Sequence, residues 1–158
     1  MKNKEELEEK LHQAVSTMKE KMGDATMPRS KTFGAFIAIR PVPKGRPRCS
    51  KFSKQPYTPQ KTRDYEKAFG VLVYKAMQEG DFEKFGNEHL GVELVFYFEK
   101  ARTSKLEYPV PDLDNLVKSA LDAMNGILFE DDRRIVSIEA HKAFEVESGV
   151  YVLVREVE

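Results

Sequence analysis

The chain has 158 residues and a single cysteine, Cys49, so no internal disulfide is possible. At this length an ordinary hydrophobic core suffices for one domain, without disulfides or a structural metal. It also lacks a signal-like N-terminus and any apolar run long enough to span a bilayer. That pattern predicts a cytoplasmic protein with no membrane partner. Net charge is absent too: 26 Lys and Arg balance 26 Asp and Glu. The total therefore gives no hint of a polyanionic partner, and no internal repeat argues for a solenoid.

The charge is unevenly distributed. From Arg40 to Lys67 there are nine basic residues against two acidic, a net of +7, whereas Glu107 to Ile135 holds three basic against seven acidic, a net of −4. Local stripes of this kind mark nucleic-acid proteins better than totals do.

The acidic stretch reads PVPDLDNLVKSALDAMNGILFEDDRRI, Pro109 to Ile135. Leu113, Leu116, Val117, Ala120, Leu121 and Met124 recur every three or four residues and predict a helix with one apolar stripe. Pro111 biases against helix before Asp112, which is placed as N-cap, and Asn125-Gly126 supplies the stop. A calcium loop fits less well, because the pattern requires glycine where Val117 stands and a bidentate acid where Ala123 stands. Two readings of the acids stay open from spacing alone. Asp112, Asp114 and Asp132 suit Mg²⁺, a hard cation held by one or two carboxylates together with phosphate oxygens. Otherwise Asp112 only caps, Asp114 pairs with Lys118 at i,i+4, and Asp131-Asp132 forms a turn. Asp122 lies about 12 Å along the helix from Asp114 and is read as structural.

The basic stretch follows a predicted first strand, Thr32 to Arg40. Pro41 to Pro59 is proline-rich and carries Lys44, Arg46, Arg48, Lys51 and Lys54, a basic loop suited to phosphate contact, with Phe52 or Tyr57 able to stack on an unpaired base. The alternative is a solvated charged loop. Thr58-Pro59 opens a helix, with Thr58 as N-cap, whose apolar face runs Tyr65, Ala68, Phe69, Leu72, Val73, Ala76, Met77 to a stop at Gly80. Val92 to Glu99 alternates as a second strand, and His89 is read as a surface residue. Ile135 to Phe144 and Val150 to Glu156 read as a hairpin turning around Glu147-Ser148-Gly149. Met1 to about Lys21 is expected to be an extra helix, narrow in its apolar stripe, followed by a linker. The expected organisation is an N-terminal helical extension and linker over residues 1–30 and one domain over 31–158. Its fold class is α/β (α+β): a small mixed β-sheet with two main helices packed on it.

Asp112-Leu-Asp114-Asn115-Leu-Val-Lys118, then Asp122-Ala-Met-Asn-Gly126, then Glu130-Asp131-Asp132 and Ile135, resembles the signature of the RusA family of Holliday junction resolvases. Pro43-Lys44-Gly45-Arg46-Pro47-Arg48, Tyr57-Thr58-Pro59 and Thr62-x-x-Tyr65-Glu66 are similar to the N-terminal half of that family, in the same order. The resemblance runs from about Phe33 to Val154 and does not reach residues 1–29. It implies a small α/β fold, catalytic aspartates at Asp112, Asp114 and Asp132 (with Asp131 the alternative, since the preceding linker varies in length) and a catalytic lysine at Lys118. It further implies a Mg²⁺-dependent endonuclease that acts as a homodimer on branched DNA. Two other functions stay open: a Mg²⁺-dependent nuclease for flaps, forks or D-loops, and a non-catalytic structure-selective DNA-binding protein.

Overall fold

The computed structural model describes residues 30–50 and 53–157. The expected N-terminal helix falls outside the described residues. The elements in chain order are β1 (Thr32–Ile37), β2 (Arg48–Ser50), β3 (Ser53–Tyr57), α1 (Gln60–Glu79), β4 (His89–Glu99), α2 (Leu113–Met124), a 3₁₀ turn (Asp132–Arg134), β5 (Ile135–Glu145) and β6 (Gly149–Val157). The main sheet has strand order β1-β6-β4-β5, and β2 and β3 form a separate two-stranded sheet. The expected α+β class, a mixed sheet with two helices, is what the chain adopts.

Strand β4 organises the core. Leu90, Val92, Leu94, Phe96 and Phe98 alternate along it and are all buried, the period-2 pattern of a strand with one covered face. Tyr65, Phe69, Val73 and Met77 of α1 and Leu116, Ala120, Ala123 and Met124 of α2 join them in a single cluster, with Phe33 and Ile37 of β1 and Val150, Val152 and Val154 of β6. Both helices therefore lie on one face of the sheet. The other face presents Phe36, Val95, Tyr97 and Tyr151, all half-buried.

The expected hairpin of the last two strands does not form. β5 pairs with β4 in parallel, Val92 opposite Ile138 and Phe98 opposite Phe144, while β6 pairs with β4 and β1 in antiparallel fashion. Strand β4 thus lies between β5 and β6. The three-residue link from Val146 to Ser148 crosses the end of β4, where the Ser148 hydroxyl accepts the Glu99 N–H at 3.0 Å. Two strand spacings are about 10 Å, within reach of so short a segment, so a glycine-containing turn signal cannot tell a hairpin from a step over one strand. The parallel pairing makes α2 the crossover of a β-α-β unit.

Smaller corrections concern the ends of elements. β1 stops at Ile37 rather than Arg40. The cap position of α1 is Pro59 rather than Thr58, and the helix start makes no side-chain cap hydrogen bond. Gly80 does cap the end of α1 as expected, and the left-handed residue is the one after it, Asp81, with φ 48°. Gly126 does serve as expected: its φ of 79° reverses the chain after α2, and its N–H donates to the Phe129 carbonyl at 2.8 Å.

Candidate active site and DNA-binding surface

Helix α2 begins where the sequence places it. Asp112 holds the cap position in an extended conformation, and its carbonyl accepts the Leu116 N–H at 3.1 Å. Its carboxylate, however, makes no capping hydrogen bond. Asp114, two residues later, is exposed like Asp112, and neither enters an ion pair among the described residues. The positive end of the helix dipole favours both carboxylates there. Lys142 ties down the start of the helix by donating to the Pro111 carbonyl at 2.8 Å.

Lys118 does not turn to Asp114. Its ammonium donates to Asp122 Oδ1 at 3.3 Å, and the lysine side chain is 61% exposed. Asp122 is in turn held by Lys44, with Nζ 2.8 Å from Oδ2, and Lys44 also donates to Glu66 Oε1 on α1. Glu66, Lys44, Asp122 and Lys118 thus form a chain of alternating charge that joins the basic segment to both helices. Burial alone would raise the Asp122 carboxyl, but the hydrogen bonds and charges of Lys44 and Lys118 outweigh it and hold the group below the usual carboxylate range. For Lys44 burial works downward, and Asp122 and Glu66 overcome it, so its ammonium is held above the ordinary value.

Lys44, expected among the DNA contacts, is engaged here by the carboxylates of Asp122 and Glu66. Its main-chain N–H donates to the Asn115 carbonyl of α2 at 2.8 Å, and the next N–H, Gly45, donates to the buried Thr62 hydroxyl of α1 at 3.1 Å. A Cβ on Gly45 would meet Pro59 Cγ at 2.8 Å and the Thr62 hydroxyl at 3.0 Å, so glycine is what lets the segment lie this close. Beyond this anchor, Arg46 is exposed. The expected loop is in fact the hairpin β2–β3, with Arg48 opposite Tyr57 and Cys49 opposite Pro56. Arg48 and Lys54 lie on its strands, Tyr57 is exposed, and Lys51 and Phe52 between the strands lie outside the described residues.

The acid pair sits at the other end of α2. Asp131 caps the 3₁₀ turn, accepting the Arg133 N–H at 2.9 Å and the Arg133 guanidinium at 2.8 Å from Nε. These hydrogen bonds from Arg133, side chain first, hold its carboxyl below the usual range. Asp132, half-buried, makes no ion pair among the described residues. Two rulers measure its distance from Asp112. The twelve residues of α2 span about 18 Å. Along β5, Ile135 lies opposite Leu90 and Lys142 opposite Phe96, a run of about 23 Å between the acid pair and the Pro111 anchor. Asp112 and Asp114 stand together at the start of α2, whereas Asp132 follows its far end, about 18 Å along the helix axis. Among the described residues no three Asp, Glu, His or Cys side chains are grouped to hold a metal ion.

Residues 38–155 match the family described as Endodeoxyribonuclease RusA. The chain belongs to the RusA family. A RusA-family assignment covers everything from the end of β1 to β6, including both charged stretches. The chain is also 40% identical over 47 residues to "Uncharacterized protein YqaN" of Bacillus subtilis (strain 168), a match that spans 30% of this chain and a third of that protein's length. Among the described residues no helix is long and apolar enough to cross a membrane.

Two residues at this RusA-family site escaped sequence reasoning. Glu66 was legible only as part of a motif, because its partner Lys44 comes from a different element. Lys142 had a signal: in the register of β5 it shares a face with Ala140 and Phe144, which pack against the core, and a lysine there needs a reason to be.

Proposed function

We propose that this protein is a Mg²⁺-dependent, structure-selective endodeoxyribonuclease that resolves four-way DNA junctions as a homodimer. The observation that carries the reading is the hydrogen bond from the Lys44 N–H to the Asn115 carbonyl, which sets the basic segment directly against the first turn of the helix that bears Asp112 and Asp114. Carboxylates alone repel DNA, and here cationic chain lies beside them. A two-stranded ribbon such as β2–β3 is of a size to enter a major groove, and Arg46 and Arg48 are shaped for phosphate oxygens.

Asp112 and Asp114 fit a hard divalent cation, since both offer exposed, acceptor-only oxygens engaged by no cation of the chain among the described residues. Such an ion, when bound, supplies a Lewis acid that activates water and offsets charge at the leaving oxygen. The protein's own part is to place the phosphate between the two carboxylates and the Lys118 ammonium, which lies one turn further along the helix and can meet charge building on the phosphoryl oxygens.

The third carboxylate is supplied by a second copy. β5 is an edge strand of the main sheet, with Val136 and Ile138 exposed on it. Antiparallel pairing of two β5 strands about a two-fold axis near Ile138 carries the partner's Asp132 to the end of β5 where Lys142 meets Pro111, close to Asp112. The same two-fold matches the approximate symmetry of a four-way junction and delivers two sites for two cuts.

Mixing purified Asp112→Asn and Asp132→Asn proteins tests this directly. In mixed dimers one of the two shared sites regains all three aspartates, so Mg²⁺-dependent cleavage returns where each variant alone is inactive. Mixed dimers that form and remain inactive refute the shared site. A parallel digest of four-way, flap and linear duplex DNA with Mg²⁺ or EDTA sets junction resolution against flap, fork or D-loop cleavage and against binding without cleavage.

A further inference from the structure

Lys118 has two carboxylates within reach on its own helix, Asp114 four residues before it and Asp122 four residues after. An acid placed N-terminal to its lysine is the more favourable arrangement in a helix, because each charge then lies toward the dipole end that suits it. Lys118 nevertheless bonds to Asp122, at 3.3 Å. What favours that choice is the surroundings of Asp122. Its side chain is 23% exposed against 61% for Lys118, it is fixed through its other oxygen by Lys44 at 2.8 Å, and Lys44 is fixed in turn by Glu66 and by its main-chain bond to Asn115. A carboxylate that is already ordered costs less conformational entropy to bond than one such as Asp114, which is exposed and has no partner among the described residues.

We propose that Asp122 is a positioning residue, which, braced by Lys44 and Glu66, holds the Lys118 ammonium away from Asp114 and so keeps that carboxylate free for a divalent cation. Without Asp122 the lysine turns back on Asp114, and a cation must displace an ammonium to bind. The brace reaches Asp122 through the segment that leads into the basic hairpin, so the placement of Lys118 depends on the docking of that segment against α2. The inference rests on the metal-site reading above and concerns Asp122, Lys44 and Glu66, none of which that reading requires.

The test measures Mn²⁺ binding without DNA, by the loss of the free-ion electron paramagnetic resonance signal, for the full-length wild type, Asp122→Asn, Lys118→Gln and the double variant. Asp122→Asn weakens Mn²⁺ binding about two- to fivefold, the range an exposed ion pair commands. In the Lys118→Gln background the same substitution has no such effect, because no ammonium is left to compete. Asp122→Glu, which keeps a carboxylate on that face, restores binding if the asparagine variant loses structure. An equal loss in both backgrounds reduces Asp122 to a distant negative charge and overturns the inference, as does unchanged binding by Asp122→Asn. Failure of the underlying reading shows separately: the wild type then binds no Mn²⁺ and cleaves no branched DNA, and the inference falls with it.

Discussion

Replacing Lys44 by Met removes one charge while keeping the length of the aliphatic stem, and it leaves Glu66 of α1 and Asp122 of α2 without the cation between them. The magnitude follows from the burial of the group. Breaking a fully buried pair costs about 3–5 kcal/mol, and an exposed pair contributes about 0–1 kcal/mol. The Lys44, Glu66 and Asp122 side chains are 23%, 19% and 23% exposed, nearer the buried end, but Lys118 still covers one oxygen of Asp122. A loss of about 2 kcal/mol is expected, which for a chain of this size lowers Tm by about 4–8 °C. The pH dependence identifies the cause. Asp122 is depressed from its ordinary 3.8, so its contribution is present above that value and is lost as pH falls through the lower folded value. Lys44 is raised from its ordinary 10.5, so its contribution is complete below 10.5 and is lost as pH rises through the higher folded value. The difference between wild type and Lys44→Met, followed by thermal or urea melts, is therefore flat from about pH 5 to about pH 10 and shrinks on either side. Equal stability at pH 7, or a difference that persists undiminished in strong acid, refutes the ion-cluster account of this interface.

Further outcomes concern the surface and the site. Alanine at Arg46 and Arg48 weakens junction binding and flattens its salt dependence by roughly 0.9 per lost phosphate contact, with Tm unchanged; an unaltered salt series places the DNA path elsewhere. Lys118→Arg keeps the fold and junction binding yet loses about tenfold in single-turnover cleavage, about 1.4 kcal/mol, because a planar fork cannot stand where an ammonium stood; native-rate cleavage would confine Lys118 to pairing with Asp122. Asp131→Asn, which disturbs only the turn that Asp131 caps, cleaves better than Asp132→Asn, and the reverse order would exchange the two assignments. Ile138→Glu, by charging the open edge of β5, shifts the protein toward monomer in sedimentation and abolishes cleavage; a fully dimeric variant puts the two-fold interface on another surface.

The sequence by itself determined the two helices and the long strands, though not the short pair β2 and β3. Periodicity fixed α1, α2, β4, β5 and β6 to within a few residues, because the 3.6- and 2-residue repeats are imposed by which side chains must reach the core. It also determined the position of Asp112 at a helix start and the opposition of a basic and an acidic stretch, since both are local properties of the chain. Only the tertiary structure decided which strands are neighbours. The turn at Glu147-Ser148-Gly149 has the same composition whether the chain folds back on β5 or steps over β4, and the choice rests on β4 needing partners at both edges. The fate of each charge was likewise nonlocal. Lys44 reads as one more cation of a basic loop until α1 and α2 bring Glu66 and Asp122 to it, and Asp132 reads as a neighbour of Asp112 until the length of α2, about 18 Å, is laid between them.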